Sequence, residues 1–330
     1  MNTPSRLALL SLCLATVPAL AGPSVLLFPV LGRPDAVTLQ GRVLADTPQG
    51  DSVLARNLSR LATPNLSGVR VELSFLGREA AVTSGHDGNF QVTLPPLKGS
   101  TFPVGAHEAQ AVVQGASARA RVEVLADAAP FLVVSDFDDT VAISEVTRPD
   151  RLVTNALLRD ADSQPVVPGM ARFYGCLGGE AGTVPGFALV SGSPVQFAPR
   201  VGTFLAKHGF PAGFGLYLRD IGPGTLSGYK QPIIRDLLKR LPHPVVLVGD
   251  SGEKDPEVYA QIREEFPSRV RAIYIRDAGN TQSLARFKDM ILFKDAGVAA
   301  AHAAQAGLAR RECVASAFPA PQPQAGPTPP

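Results

Sequence analysis

The chain reads as two globular parts: a small antiparallel β-sandwich, then an α/β domain built on a Rossmann-like parallel sheet. Three observations lead there. Between residues 37 and 125, short alternating apolar runs are separated by turn residues. From residue 131 onward, uniformly apolar runs alternate with segments of helical periodicity. Acidic and hydroxyl residues stand directly after those apolar runs, at the edge where a parallel sheet binds its ligands.

In the first part, residues 37–44, 69–75, 90–94, 109–113 and 118–125 predict strands. His86-Asp87-Gly88-Asn89 supplies a turn before one of them, and Pro95-Pro96 ends it. A single helical stretch interrupts, with Leu54, Leu58 and Leu61 recurring on one face. Nothing in this half gathers an acid, a base and a nucleophile. In the second part the strands fall at 131–135, 186–190, 215–218, 245–249 and 271–275, and their ends read Asp136, Ser191, Asp220, Asp250 and Arg276-Asp277. The stretch from Phe293 to Arg311 is alanine-rich and predicts one helix, and the Pro-rich end of the chain predicts a disordered tail.

The first 21 residues have the form of a cleaved secretory signal: Arg6, an apolar run over 7–20, and Ala19-Leu20-Ala21. Export to the periplasm or the exterior is therefore expected, with no transmembrane segment in the mature chain. The resulting organisation is signal 1–21, β-sandwich 22–128, α/β domain 129–295, C-terminal helix 296–314 and tail 315–330. Formal net charge is only +2 and no basic run occurs, which argues against a nucleic-acid partner. Cys176 and Cys313, the cysteines beyond the signal, are too few for a disulfide framework and wrongly spaced for zinc. One bridge and two free thiols both fit.

Asp136-Phe137-Asp138-Asp139-Thr140 follows the first parallel strand, so its carboxylates emerge together at the ligand edge. Hydrolysing a phosphomonoester needs a nucleophile, an acid and charge neutralisation. Asp136 can attack phosphorus, and Asp138 can protonate the leaving oxygen and then activate water. Taken alone, the motif also fits an acidic turn after a strand. Ser191 follows another buried strand, and Gly192-Ser193-Pro194 reads as a helix start with Ser193 as N-cap, which suits an anion. Lys230 precedes Pro232 and the amphipathic stretch from Ile233 to Leu241, placing a cation for phosphoryl oxygens at a helix entrance. Asp250 ends the most apolar strand and, with Asp136 and a backbone carbonyl, makes a hard-oxygen set that suits Mg2+. Asp255 precedes Pro256, so helix capping and a role at the metal are both open.

Asp-x-Asp-x-Thr, then Ser, then Lys, then Gly-Asp-x-x-x-x-Asp, in that order, resembles the haloacid dehalogenase superfamily of phosphatases. The motifs Ser135 to Thr140, Val190 to Pro194 and Gly249 to Glu257, extended by Ala272 to Asp277, are more closely similar to the phosphatidate phosphatase family typified by the fungal actin patch protein. The resemblance covers residues 131–278, and one departure is Val195 where that family commonly carries tryptophan. It implies a haloacid dehalogenase-type fold and a magnesium-dependent phosphatase acting on phosphatidate or a related lipid phosphate at a membrane surface. Asp136, Asp138, Ser191 and Lys230 would be catalytic. Thr140, Ser191, Gly192 and Lys230 would contact substrate, and Asp136, Asp138, Asp250 and Asp255 would serve the metal. A sugar, protein or glycan phosphate as substrate, and a non-catalytic secreted binding protein, are the alternatives to be separated by experiment.

Overall fold

The computed structural model describes residues 22–144, 161–179, 182–220 and 228–319. The predicted signal segment, residues 145–160 and most of the proline-rich tail lie outside them. The first part contains β1 (Ser24–Leu27), β2 (Val30–Gly32), β3 (Val37–Leu44), α1 (Val53–Ala62), β4 (Arg70–Phe75), β5 (Arg78–Thr83), β6 (Asn89–Leu94), β7 (Gly105–Val113) and β8 (Ala116–Val124). Two sheets form, of order β1-β3-β6 and β2-β8-β7-β4-β5. All pairings are antiparallel except β2 with β8. Alternation along β4 buries Val71, Leu73 and Phe75 and leaves Arg70 and Glu72 outside, as a strand with one wet face requires.

Helix α1 forms where the leucine repeat predicts it. Ser52 caps it, its hydroxyl accepting from the Ala55 N–H at 3.1 Å. Yet the residue α1 buries is Asn57, while Leu54 and Leu58 are exposed. Its leucine stripe is therefore not buried as a core face.

The second part adds β9 (Leu132–Ser135), α2 (Met170–Cys176), β10 (Gly186–Pro194), α3 (Ala198–Lys207), β11 (Phe214–Arg219), α4 (Lys230–Arg240), β12 (Val245–Asp250), α5 (Asp255–Glu265), β13 (Val270–Arg276), β14 (Ile291–Phe293), α6 (Ala296–Gln305) and α7 (Arg311–Ala317). Its sheet has the order β11-β10-β9-β12-β13-β14, parallel throughout. The predicted strands are all present, and β14 is a short sixth. Residues of β9 and β12 are buried on both faces, which is why their sequence is apolar without alternation. Because β10 and β12 flank β9 and the chain leaves β9 in both directions, the topological switch point falls at the end of β9.

The alanine-rich stretch is two helices, not one. Gly307 adopts φ 68° after α6, a left-handed turn that stops the helix, and α7 starts afresh at Arg311. This turn brings Cys313 to Cys176 of α2, and the two form a disulfide with Cα atoms 5.4 Å apart. The bridge closes a long loop, with a sequence separation of 137 residues. Cys176→Ser with Cys313→Ser is expected to lower unfolding free energy by about 2–5 kcal/mol. Denaturant midpoints should show that deficit, and reductant should reproduce it in the parent protein.

The two parts share a core. Leu31 and Leu125 belong to one buried cluster with Leu132, Val134, Ala188, Tyr217 and Ile234. Polar ties accompany the packing. The Leu216 N–H donates to the Pro29 carbonyl at 2.9 Å, the Leu31 N–H to Tyr217 Oη at 3.2 Å, and Arg42 of β3 pairs with Asp220 beyond β11. The sandwich therefore covers β11, the edge strand that would otherwise offer unpaired backbone groups.

Candidate active site

Asp136 stands at the switch point, its backbone N–H held by the Val248 carbonyl at 2.9 Å. Thr140 Oγ1 donates to Asp136 Oδ2 at 3.2 Å, which orients the carboxylate from one side. The intervening loop turns through Asp139, whose φ of 53° is left-handed. Its Oδ1 accepts from the Ser144 N–H at 2.9 Å, and its carbonyl accepts from Arg276 Nη1. Asp138 makes a different set of contacts from Asp136. Asp138 Oδ2 instead accepts from Ser191 Oγ at 3.1 Å and Ser193 Oγ at 2.9 Å, at the end of β10.

On the other side lie the products of β12 and two helix starts. Asp136, Asp250 and Asp255 are buried, and one carboxylate oxygen from each falls within 4.8 Å of the others. Lys230, the first residue of α4, places Nζ 2.8 Å from Asp136 Oδ1, 3.4 Å from Glu253 Oε2 and against Asp255 Oδ1. Asp255 is not the cap of α5. Lys254 occupies that position, and Asp255 Oδ2 accepts from the Asp250 N–H at 3.3 Å. Gly249 makes room for this arrangement: a Cβ there would lie 2.8 Å from both Asp255 Cβ and the Tyr259 ring.

Two oxygens in this group are underused. Asp250 Oδ1 accepts from the Gly252 N–H at 2.6 Å, whereas Oδ2 is buried without a hydrogen-bond partner. Asp136 Oδ1 faces the Lys230 ammonium as an ion pair and likewise receives no directed hydrogen bond. Buried carboxylate oxygens in that state are costly unless a cation supplies the missing charge. The acidic triad could therefore hold a divalent metal through hard oxygen donors. Burial pushes the Asp136 carboxyl well above the usual range, against the pull of Lys230, with Asp255 and Asp250 adding repulsion. Asp250 moves the same way, through burial and then repulsion from Asp255. For Lys230, burial acts downward, but Asp136 and Asp255 outweigh it and raise its pKa.

The sequence-predicted residues divide into two sets. Asp136, Lys230, Asp250 and Asp255 converge, while Asp138 and Ser191 meet beside them, and Asp138 is outside the metal-type cluster. Gly192 is covered by Tyr229, whose hydroxyl would stand 2.5 Å from any Cβ placed there, and its carbonyl accepts from Arg219 Nε at 3.0 Å. Asp220 is occupied by Arg42. Ser193 is not an N-cap: β10 runs on to Pro194, a 3-10 turn follows at Val195–Phe197, and α3 begins at Ala198 with no side-chain cap. Its function as a second donor to Asp138 went unread because Ser-Pro before an apolar periodic run has the signature of a cap. Tyr229 and Glu253 were also missed, since neither is distinctive in sequence.

Residues 131–277 match the family model for Phosphatidate phosphatase APP1, catalytic domain. The matched segment, somewhat less than half of the chain, is similar to that catalytic-domain family. Two fungal relatives agree with the match. The protein Phosphatidate phosphatase APP1 of Saccharomyces cerevisiae is 32% identical over 160 residues, covering 46% of this chain and 26% of the yeast protein. The uncharacterized protein C29B5.04c of Schizosaccharomyces pombe is 30% identical over 156 residues, covering 44% of this chain and 25% of its own length. The chain thus spans about a quarter of each relative. Among solved structures, a carbohydrate acetylesterase from Xanthomonas citri aligns over 75% of this chain and 57% of that chain, at 13% identity and a TM-score of 0.29, too low to bear on fold. The APP1-type segment contains every polar residue of the site described above, from Ser135 to Arg276. Among the described residues, no helix is long and apolar enough to cross a membrane.

Proposed function

We propose that this protein is an exported, magnesium-dependent phosphatase of haloacid dehalogenase type that hydrolyses phosphatidate or a related lipid phosphate through an aspartyl-phosphate. The observation that carries this reading is the convergence of Asp136, Asp250, Asp255 and Lys230 beside the Asp138–Ser191 pair, within a segment similar to the APP1 catalytic domain. Asp136 attacks phosphorus as the bond to the leaving oxygen breaks, and Asp138 delivers the proton that oxygen needs. Asp138 then takes a proton from water, whose oxygen displaces Asp136 and releases phosphate. Ser191 and Lys230 hold phosphoryl oxygens, and Thr140 keeps Asp136 aligned. Magnesium, held by Asp136, Asp250 and Asp255, would supply positive charge to offset that of the phosphoryl group.

The lipid assignment rests on the similarity to the phosphatidate phosphatase catalytic domain and to the yeast phosphatidate phosphatase. The test is phosphate release from phosphatidate, lysophosphatidate, sugar phosphates and phosphopeptides, each with magnesium and with chelator. Release from the two lipids that chelator abolishes is expected. Activity confined to soluble sugar phosphates or phosphopeptides would refute the lipid reading, and no release from any substrate would favour a binding protein.

A further inference from the structure

Tyr229 is the residue just before α4, and with Lys230, Glu253 and Asp255 it lines a cavity of about 880 Å³. Its side chain reaches from there to the end of β10. The hydroxyl stands over Gly192, so close that a Cβ at that position would lie 2.5 Å from Oη and 3.1 Å from Cζ. Any larger residue there would push the hydroxyl aside. Arg219 fixes both partners of this contact. Its guanidinium lies 5.8 Å from the Tyr229 ring centroid, and its Nε donates to the Gly192 carbonyl at 3.0 Å.

Tyr229 Oη is buried, and among the described residues it has no hydrogen-bond partner. Leaving such a donor unmet costs more than an ordinary hydrogen bond contributes, and phenylalanine would fill the same space without that cost. Packing therefore does not account for the hydroxyl. Burial holds it in its protonated form against the pull of Lys230, and Asp136, Glu253 and Asp255 act with the burial, so it remains a donor at neutral pH. Its position says what can meet it. Ser191 precedes Gly192 and Lys230 follows Tyr229, and these are the two groups that hold phosphoryl oxygens in the proposed reaction. The hydroxyl thus lies beside one of them, while its main chain adjoins the other. A phosphoryl group spreads its charge over three oxygens, each able to accept more than one hydrogen bond.

We propose that Tyr229 is a substrate-binding residue whose hydroxyl donates to a phosphoryl oxygen held between Ser191 and Lys230. The assignment rests on the phosphatase reading, so its test separates anion binding from turnover. Inorganic phosphate, which carries no organic group, would be titrated by calorimetry into the magnesium-loaded parent and Tyr229→Phe proteins. The variant loses a hydrogen bond to a charged acceptor and should bind phosphate roughly tenfold to a hundredfold more weakly. Its thermal midpoint in chelator should equal or exceed that of the parent, because a buried unpaired donor has been removed. Equal phosphate affinity in the two proteins overturns the proposal, even if turnover of an ester falls, since the hydroxyl would then serve the organic group. A marked drop in the midpoint also overturns it, because the hydroxyl would already be satisfied within the protein, and so does a parent that binds no phosphate. Weakened phosphate binding in the variant, combined with no phosphate release from any ester by the parent, would keep Tyr229 as an anion ligand and remove the phosphatase reading. Release by the parent with equal phosphate affinities would do the reverse.

Discussion

Asp136→Asn is expected to lower magnesium-dependent phosphate release by about a thousandfold or more while the protein stays folded. In the mechanism proposed above, the substitution removes the attacking carboxylate and with it the step itself, so the fall appears in kcat and is not recovered at high substrate. The substitution keeps the size of the side chain, and Thr140 and the Val248 carbonyl still hold the residue. It also removes one of three buried negative groups. Lys230 retains Asp255 as its partner. The thermal midpoint in chelator should therefore change little, whereas stabilisation by added magnesium should shrink because one oxygen donor has become a weaker amide. A variant with substantial residual turnover would mean that another group attacks phosphorus, since neither the Asp250 nor the Asp255 carboxylate changes.

Lys230→Met should damage both activity and folding, and the folding effect depends on pH. The Lys230 ammonium is buried between Asp136 and Asp255, so removing it leaves two buried carboxylates without their counter-charge. Breaking a buried pair in this way costs about 3–5 kcal/mol. Burial has already raised the Asp136 pKa above its unfolded value, and Lys230 is what pulls it back. Without Lys230 it rises further. A carboxyl with a raised native pKa binds its proton more readily when folded, so its contribution to stability is lost as pH rises through that pKa. The deficit of Lys230→Met in chelator should therefore be largest near pH 8 and shrink toward pH 5, where protonated carboxyls need no partner. Magnesium should reduce it at pH 8 by replacing the missing charge, and the acid limb of kcat/KM should move to higher pH. Denaturant titrations at the two pH values decide the matter: an equal deficit at both, unaffected by magnesium, would show that Lys230 acts through packing alone.

Much of the catalytic half was legible because its physics is local. A strand buried on both faces writes itself as an unbroken apolar run, as at Val245 to Val248, and the residue after it must reach the ligand edge. Asp136, Ser191 and Asp250 could be named for that reason, and Lys230 from its place at the entrance of an amphipathic helix. Signals shared by two structures were misread. Ser193-Pro194 has the form of a helix cap, but β10 continues through it, and the hydroxyl turns to Asp138. Leu54, Leu58 and Leu61 rightly mark helix α1, although Leu54 and Leu58 are exposed and the residue it buries is Asn57. Periodicity reports that a stripe exists and not what it meets.

The sequence alone determined the order of elements, the sheet edge that carries chemistry and the residue types gathered there, because each depends on neighbours close in the chain. Tertiary structure decided what depends on partners far away. It joined Cys176 to Cys313 across a left-handed turn at Gly307, and gave Asp220 to Arg42 of the sandwich. It also gave Asp136 and Asp138 different partners, one carboxylate joining the acidic triad and the other accepting from Ser191 and Ser193. Two aspartates two residues apart look alike in sequence. The charges and donors that the fold brings to each make them different groups.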